Sequence, residues 1–170
     1  MGDIMKKCLC LCLCFVIVFS FAGCGEFTPP QVQTRFSCVA DVLYNDTEIV
    51  CKISAGGRGN TRIDVTYPDS VRGAFYVWND SSFRVGFGDL YVENSSVTLP
   101  DSSFAVILGE FLNGLYTEEN TVFIKTEGDV CEFSLNSQSG ATFTTDKKNG
   151  IILSAKLPDM EVEFRDQQLL

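Results

Sequence analysis

Between Arg35 and Arg165 apolar side chains recur at every second position, in short runs separated by glycine, asparagine, aspartate and proline. Alternation bounded by such residues marks antiparallel strands with one dry face and one wet face. It is also a strong constraint on architecture, because a long sheet with a single dry face must curl, close or be covered. Phe36, Cys38, Ala40 and Val42 alternate up to Tyr44-Asn45-Asp46-Thr47, which reads as a hairpin turn, and Ile49, Cys51 and Ile53 continue beyond it. A second turn is expected at Gly56–Asn60, followed by Ile63, Val65 and Tyr67. Ala74–Trp78 is a short aromatic strand. Phe83–Val85 and Leu90–Glu93 form one strand or two around Gly86-Phe87-Gly88, since glycine within a strand marks a bulge or bend. Strands at Val122–Thr126, Val130–Leu135, Ala141–Thr145, Ile151–Leu157 and around Met160–Arg165 complete a count of about ten.

One segment breaks the rhythm. Phe104, Ile107, Leu108, Phe111, Leu112 and Leu115 fall on a single stripe at helical period. The pattern predicts a helix over about Ser102–Tyr116, capped by Asp101 and loosened at its end by Asn113-Gly114. Only the dry face of the sheet is available to bury that stripe. The expected fold is therefore mainly β: a curved antiparallel sheet or incomplete barrel of about ten strands, with one amphipathic helix on its concave face.

The first 23 residues have a different character. A short basic start with Lys6 and Lys7 leads into an apolar run, Cys8–Phe21, which ends in small residues. That is the plan of a secretory signal peptide, and the run is short of the roughly 20 apolar residues that span a bilayer. Phe21-Ala22-Gly23-Cys24 resembles the lipobox of bacterial lipoproteins, departing from it only at Phe21, where a smaller aliphatic residue is usual. The resemblance implies cleavage before Cys24 and a diacylglyceryl group on its thiol, with the chain held at the extracytoplasmic face of a bacterial membrane. Cys8, Cys10, Cys12 and Cys14 then act as small hydrophobes in a discarded leader. Residues 24–34, with Thr28-Pro29-Pro30-Gln31, read as an extended tether, and residues 35–166 as the folded domain.

Strand, helix and lipobox together resemble the LolA/LolB-like superfamily of lipoprotein carriers. The resemblance lies in layout, in the Pro100-Asp101-Ser102-Ser103-Phe104 helix entry and in the Thr145–Ile152 turn. It implies a half-barrel whose apolar concave face holds acyl chains, although this chain offers one helix where typical carriers have several. Ile63, Val65, Phe75, Phe83, Phe87, Phe104, Ile107, Phe111, Phe133 and Phe143 are the candidates to line that cavity, or else to fill a dry core, where aromatic side chains bury large areas.

Composition narrows the function further. Histidine is absent, which removes the commonest general base and metal ligand. Beyond residue 23 the chain carries 11 basic and 21 acidic side chains. Such a surface repels phosphate backbones, so no nucleic-acid partner is expected. No nucleophile elbow, phosphate-loop or zinc-protease motif occurs, and Gly56-Gly57-Arg58-Gly59 joins two strands where a phosphate loop would open a helix. Neither enzyme activity nor a cofactor is expected. Cys38, Cys51 and Cys131 remain in the domain: all three as buried thiols, a Cys38–Cys51 bridge, or metal ligands without the paired spacing of a zinc site. Two functions stand: an anchored binding module for a lipid or other apolar ligand, and an envelope interaction protein with a dry core and no small ligand.

Overall fold

Asn45 and Asp46 both take left-handed backbone conformations (φ 46° and 61°), which is what a two-residue hairpin turn needs to match the twist of its strands. They join β1 (Phe36–Tyr44) to β2 (Thr47–Gly57), with Tyr44 opposite Thr47. The computed structural model describes residues 27–79, 82–94, 100 and 103–170. The segment expected to be a signal peptide, Cys24 and Asp101 lie outside the described residues. Antiparallel pairing of consecutive strands continues through β3 (Asn60–Tyr67), β4 (Ala74–Asn79), β5 (Ser82–Phe87) and β6 (Leu90–Asn94). After helix α1 (Phe104–Gly114) and a 3₁₀ turn at Glu118–Asn120 come β7 (Thr121–Glu127), β8 (Val130–Leu135), β9 (Thr142–Asp146), β10 (Ile152–Leu157) and β11 (Met160–Leu169).

The eleven strands form one antiparallel sheet in the order β6-β5-β4-β3-β2-β1-β11-β10-β9-β8-β7. Every neighbour is a hairpin partner except β1 and β11, which zip the two halves together. The sheet's edges are thus β6 and β7, the two strands on either side of the helix in the chain. The half-barrel opens where the helix is inserted.

Ser103 caps α1, where Asp101 was expected: its Oγ accepts from the Val106 N–H at 3.4 Å. The helix stops at Gly114, where an added Cβ would lie 2.6 Å from Ser137 Oγ and 2.7 Å from Leu135. The segment expected as one strand or two is two, and Gly86 lies inside β5. Its bare Cα admits the Phe75 ring and the Leu90 carbonyl, both within 2.5 Å of where a Cβ would stand. The domain also runs past residue 166, since β11 continues to Leu169 and the Leu170 N–H donates to the Arg35 carbonyl.

The inner face is the core. Phe36, Ile53, Ile63, Leu108, Phe111, Leu112, Phe143, Ile152 and Val162 are its largest buried side chains. The outer face carries cross-strand ion pairs, among them Arg84–Glu93, Lys156–Glu161 and Arg165–Asp41, and the Arg62–Asp64 pair along β3. Such exposed pairs are screened by water and contribute little, so burial inside the sheet dominates stability.

The three cysteines are free and buried. Cys38 lies opposite Ile53, and Cys51 opposite Ala40. The two thiols are therefore diagonal neighbours, roughly 7–8 Å apart at the backbone, with Cβ atoms beyond the roughly 3.8 Å a disulfide requires. Burial pushes both thiols up to about 12, so the nucleophilic thiolate is scarce at neutral pH. In the Cys24→Ala protein freed of its leader, a thiol reagent is expected to modify Cys38, Cys51 and Cys131 only on denaturation. Rapid labelling of the native protein would contradict this placement.

Candidate functional site

The ten side chains expected on the concave face fall into three groups. Ile63, Val65, Ile107, Phe111, Phe133 and Phe143 are buried, between 0 and 8% exposed. Phe111 meets Phe143 edge-on at 5.7 Å and stacks on Phe164 at 6.3 Å, while Phe133 stacks on Phe143 at 5.3 Å. A void able to hold even one water molecule would leave accessible surface on its lining. Phe36, Ile63, Leu108 and Phe111 have none. These residues form a dry core, with the helix stripe as its plug.

Phe104 and Phe83 form the second group, half-buried at the border of that plug. Phe104 touches Tyr44 at 6.4 Å and Tyr76 at 5.6 Å, and Phe83 touches Trp78 at 5.0 Å. Trp78 in turn packs on Gly109 of α1, where a Cβ would come within 2.8 Å of the indole. Glycine at that helix position is what lets the β4 aromatics reach the helix backbone.

In the third group Phe75 departs from the expectation, while Phe87 keeps to the inner face. Phe75 pairs with Asp64 and lies under the Arg62 guanidinium at 5.1 Å, so it faces outward. The inward residues of β4 are Ala74, Tyr76 and Trp78. Phe87 shares the inner face, opposite Ala74, yet is 55% exposed. It stands with Leu90 at 79% and Val92 at 58% exposure, which pair with Phe87 and Val85 across the β5–β6 hairpin. The inner face of the β4–β6 wing is therefore apolar but uncovered beyond the Phe104–Tyr76–Trp78 border. Leu90 and Val92 were not anticipated as site residues. In β4 apolar side chains occupy both faces, so alternation there does not fix which is inner, whereas in β5 Phe83, Val85 and Phe87 alternate with Ser82, Arg84 and Gly86. The pairing of Trp78 with Phe83 across the Asn79–Ser82 turn would have fixed it.

Other concavities are polar or shallow. A cleft of about 480 Å³ at the end of α1 is lined by Arg58, Glu110, Asn113, Thr117 and Ser137 among others. A smaller one of about 230 Å³ lies under residues 30–34, against Leu115, Tyr116 and Phe133. Among the described residues no cluster of three or more Cys, Asp or Glu side chains is placed to hold a metal ion.

No family model matches the chain, and no curated protein matches it in sequence. Solved structures do. An uncharacterized conserved protein from Thermus thermophilus is 11% identical, with a TM-score of 0.52 over 82% of this chain and 81% of that one. A LolA superfamily protein from Nitrosomonas europaea, also 11% identical, covers 83% of this chain and 87% of its own at a TM-score of 0.38, too low to carry an argument. At this identity the Thermus protein speaks for architecture alone: the chain is similar in fold to it, and its function must be argued from its own residues.

Proposed function

We propose that this chain is an exported lipoprotein, anchored by a diacylglyceryl group on Cys24, whose half-barrel binds an apolar ligand along the open inner face of β4–β6. One observation carries the ligand reading. Phe87, Leu90 and Val92 are more than half exposed on the inner face of a sheet whose remaining inner face is packed dry. Exposed apolar side chains that cluster in this way mark a contact surface. The ligand would lie against the wing, in contact with Val85 and the Trp78–Phe83 pair. It would not lie beneath the helix, where Phe111 and its neighbours leave no room.

Trp78 is the only tryptophan, which makes the site self-reporting. In the exported full-length protein, a brominated fatty acid is expected to quench its emission saturably. Leu90→Ser combined with Phe87→Ser should weaken that binding roughly tenfold or more, since fully burying each such side chain is worth about 1.5–3 kcal/mol. Quenching that is absent, or unchanged in the double variant, would remove the small-ligand reading.

The filled core favours a second reading, in which the same wing meets an apolar patch on another envelope protein. A photo-crosslinker at Leu90 that captured one protein while no lipid co-purified would favour it.

A further inference from the structure

The two edges of the sheet are built differently. An edge strand presents unpaired backbone groups, and proteins blunt it with bulges, lysines and covering segments. β7 has all three. Its register slips between Phe123 and Lys125, which leaves Ile124 as a bulge, and Lys125 stands on the strand itself. The linker, held by the Gln33 N–H on the Gly150 carbonyl at 3.0 Å, lays Phe27 on Phe123 at 5.8 Å between ring centres. β6 is not blunted in this way. Leu90-Tyr91-Val92-Glu93-Asn94 pairs residue for residue with β5 and holds no lysine, proline or bulge. Among the described residues it pairs with β5 alone, and Tyr91 is 58% exposed on its outer face.

The hairpin decides which backbone groups β6 leaves free. Gly88-Asp89 is a two-residue turn between Phe87 and Leu90, with Gly88 at φ 58°. Such a turn closes on a hydrogen bond between its flanking residues, so the N–H and C=O of Leu90 face β5. The Leu90 carbonyl is found there, where a Cβ on Gly86 would strike it. Bonded and non-bonded pairs alternate along antiparallel strands. Tyr91 and Glu93 therefore turn their N–H and C=O groups to the open edge.

A second copy of the same strand fits that edge in one register. Two identical strands pair antiparallel about a two-fold axis, and the axis must pass through a residue if the inner faces are to stay on one side of the joined sheet. An axis at Tyr91 sets Glu93 opposite the partner's Asp89. An axis at Glu93 sets the two Glu93 carboxylates opposite each other. Like charges directly opposite are destabilising. An axis at Val92 sets Tyr91 opposite the partner's Glu93, and these are the residues whose main-chain groups are free to bond. It also leaves each Glu93 with its own Arg84, 2.7 Å away, whose guanidinium lies 4.7 Å from the Tyr91 ring.

We propose that β6 is the interface of a homodimer, joined antiparallel about Val92 so that two half-barrels share one continuous sheet. The contact uses the same patch on both copies and closes on itself, leaving the blunted β7 as the outer edge of the pair. The inner faces of the two wings then form a single apolar floor, bounded on each side by a Phe104–Tyr76–Trp78 border. The dimer goes beyond ligand binding on the wing and does not depend on it. It names the partner that completes the wing.

The register dictates which cysteines can bridge. Val92 faces the partner's Val92 as a non-hydrogen-bonded pair, with Cα atoms about 4.5 Å apart, a separation that suits a disulfide. Leu90 faces the partner's Asn94 and lies roughly 14 Å from the partner's Leu90, by the rise of the strand. In cells expressing the full chain, oxidation with copper phenanthroline should give roughly tenfold more covalent dimer in Val92→Cys than in wild type. Leu90→Cys and Asn94→Cys should each stay monomeric alone and crosslink to each other when co-expressed. Tyr91→Pro removes a donor aimed at the partner and none from the β5 ladder. Added to Val92→Cys, it should cut the dimer roughly tenfold with Trp78 emission unchanged, whereas Tyr91→Thr should keep the dimer. A Val92→Cys protein that stayed monomeric, that joined a different protein, or that crosslinked no more than Leu90→Cys would overturn the proposal. Fatty-acid quenching of Trp78 tests the ligand separately, so either reading can fail without the other.

Discussion

Phe111→Ala should destabilise the domain by about 3–5 kcal/mol, the range for deleting a buried aromatic side chain from a packed interior. Phe111 is fully buried in the C-terminal half of α1, held between Phe143 of β9 and Phe164 of β11. It therefore joins the helix to the half of the sheet that follows it, and its ring neighbours are rigid aromatics that cannot refill the site. Phe111→Leu keeps most of the volume and should cost under about 2 kcal/mol. Urea unfolding of both variants, read by Trp78 emission, measures the difference. The Ala variant should also gain an apolar void able to take up a small hydrocarbon such as benzene, as dry engineered cavities do, with a matching rise in its midpoint. A loss below about 1 kcal/mol would mean that Phe111 faces open space. The ligand would then belong beneath the helix.

The burial of Phe111 is legible in the sequence, as are the strands and the helix, because their signals are local. Period two and period 3.6 survive in any tertiary setting, and the Asn45-Asp46 turn carries its own backbone preference. The helix stripe marks Phe111, Leu108 and Leu112 as buried for the same reason. The closure of the barrel is not legible. It depends on β1 meeting β11, as in the Arg165–Asp41 contact across 124 residues, and no short-range pattern reports such a pairing.

The wing escapes a sequence reading for a different physical cause. Phe75, Val77 and Trp78 offer apolar groups to both faces of β4, and the tie is broken only by what lies across the strands. Arg62 and the bare Gly86 give Phe75 an outer seat, while Gly109 gives Trp78 an inner one. The linker escapes because its prolines and polar residues look like a spacer. What holds it down is a backbone hydrogen bond and a missing side chain, neither of which has a compositional signature.

The missing side chain belongs to Gly150, and Gly150→Ala should do more than a turn substitution ordinarily does. Gly150 has φ +70°, and a Cβ there would lie 2.0 Å from the Gln31 carbonyl oxygen and 3.0 Å from its carbon. Gly128, in the β7–β8 turn, has a similar φ of +62° with nothing within 4 Å of its Cβ position. Gly128→Ala thus measures backbone strain alone, about 1–2 kcal/mol. Gly150→Ala adds a collision with main chain, which can be relieved only by lifting the linker, and should cost about 1–3 kcal/mol beyond the control. Lifting it breaks the hydrogen bond that the Gln33 N–H donates to the Gly150 carbonyl at 3.0 Å and frees Phe27 from the Phe123 ring, 5.8 Å away between centres. Protease cleavage between Phe27 and Arg35 should then become fast in Gly150→Ala and stay slow in Gly128→Ala. A Gly150→Ala protein whose linker stayed protected would show that the bare Cα of Gly150 is not what seats it.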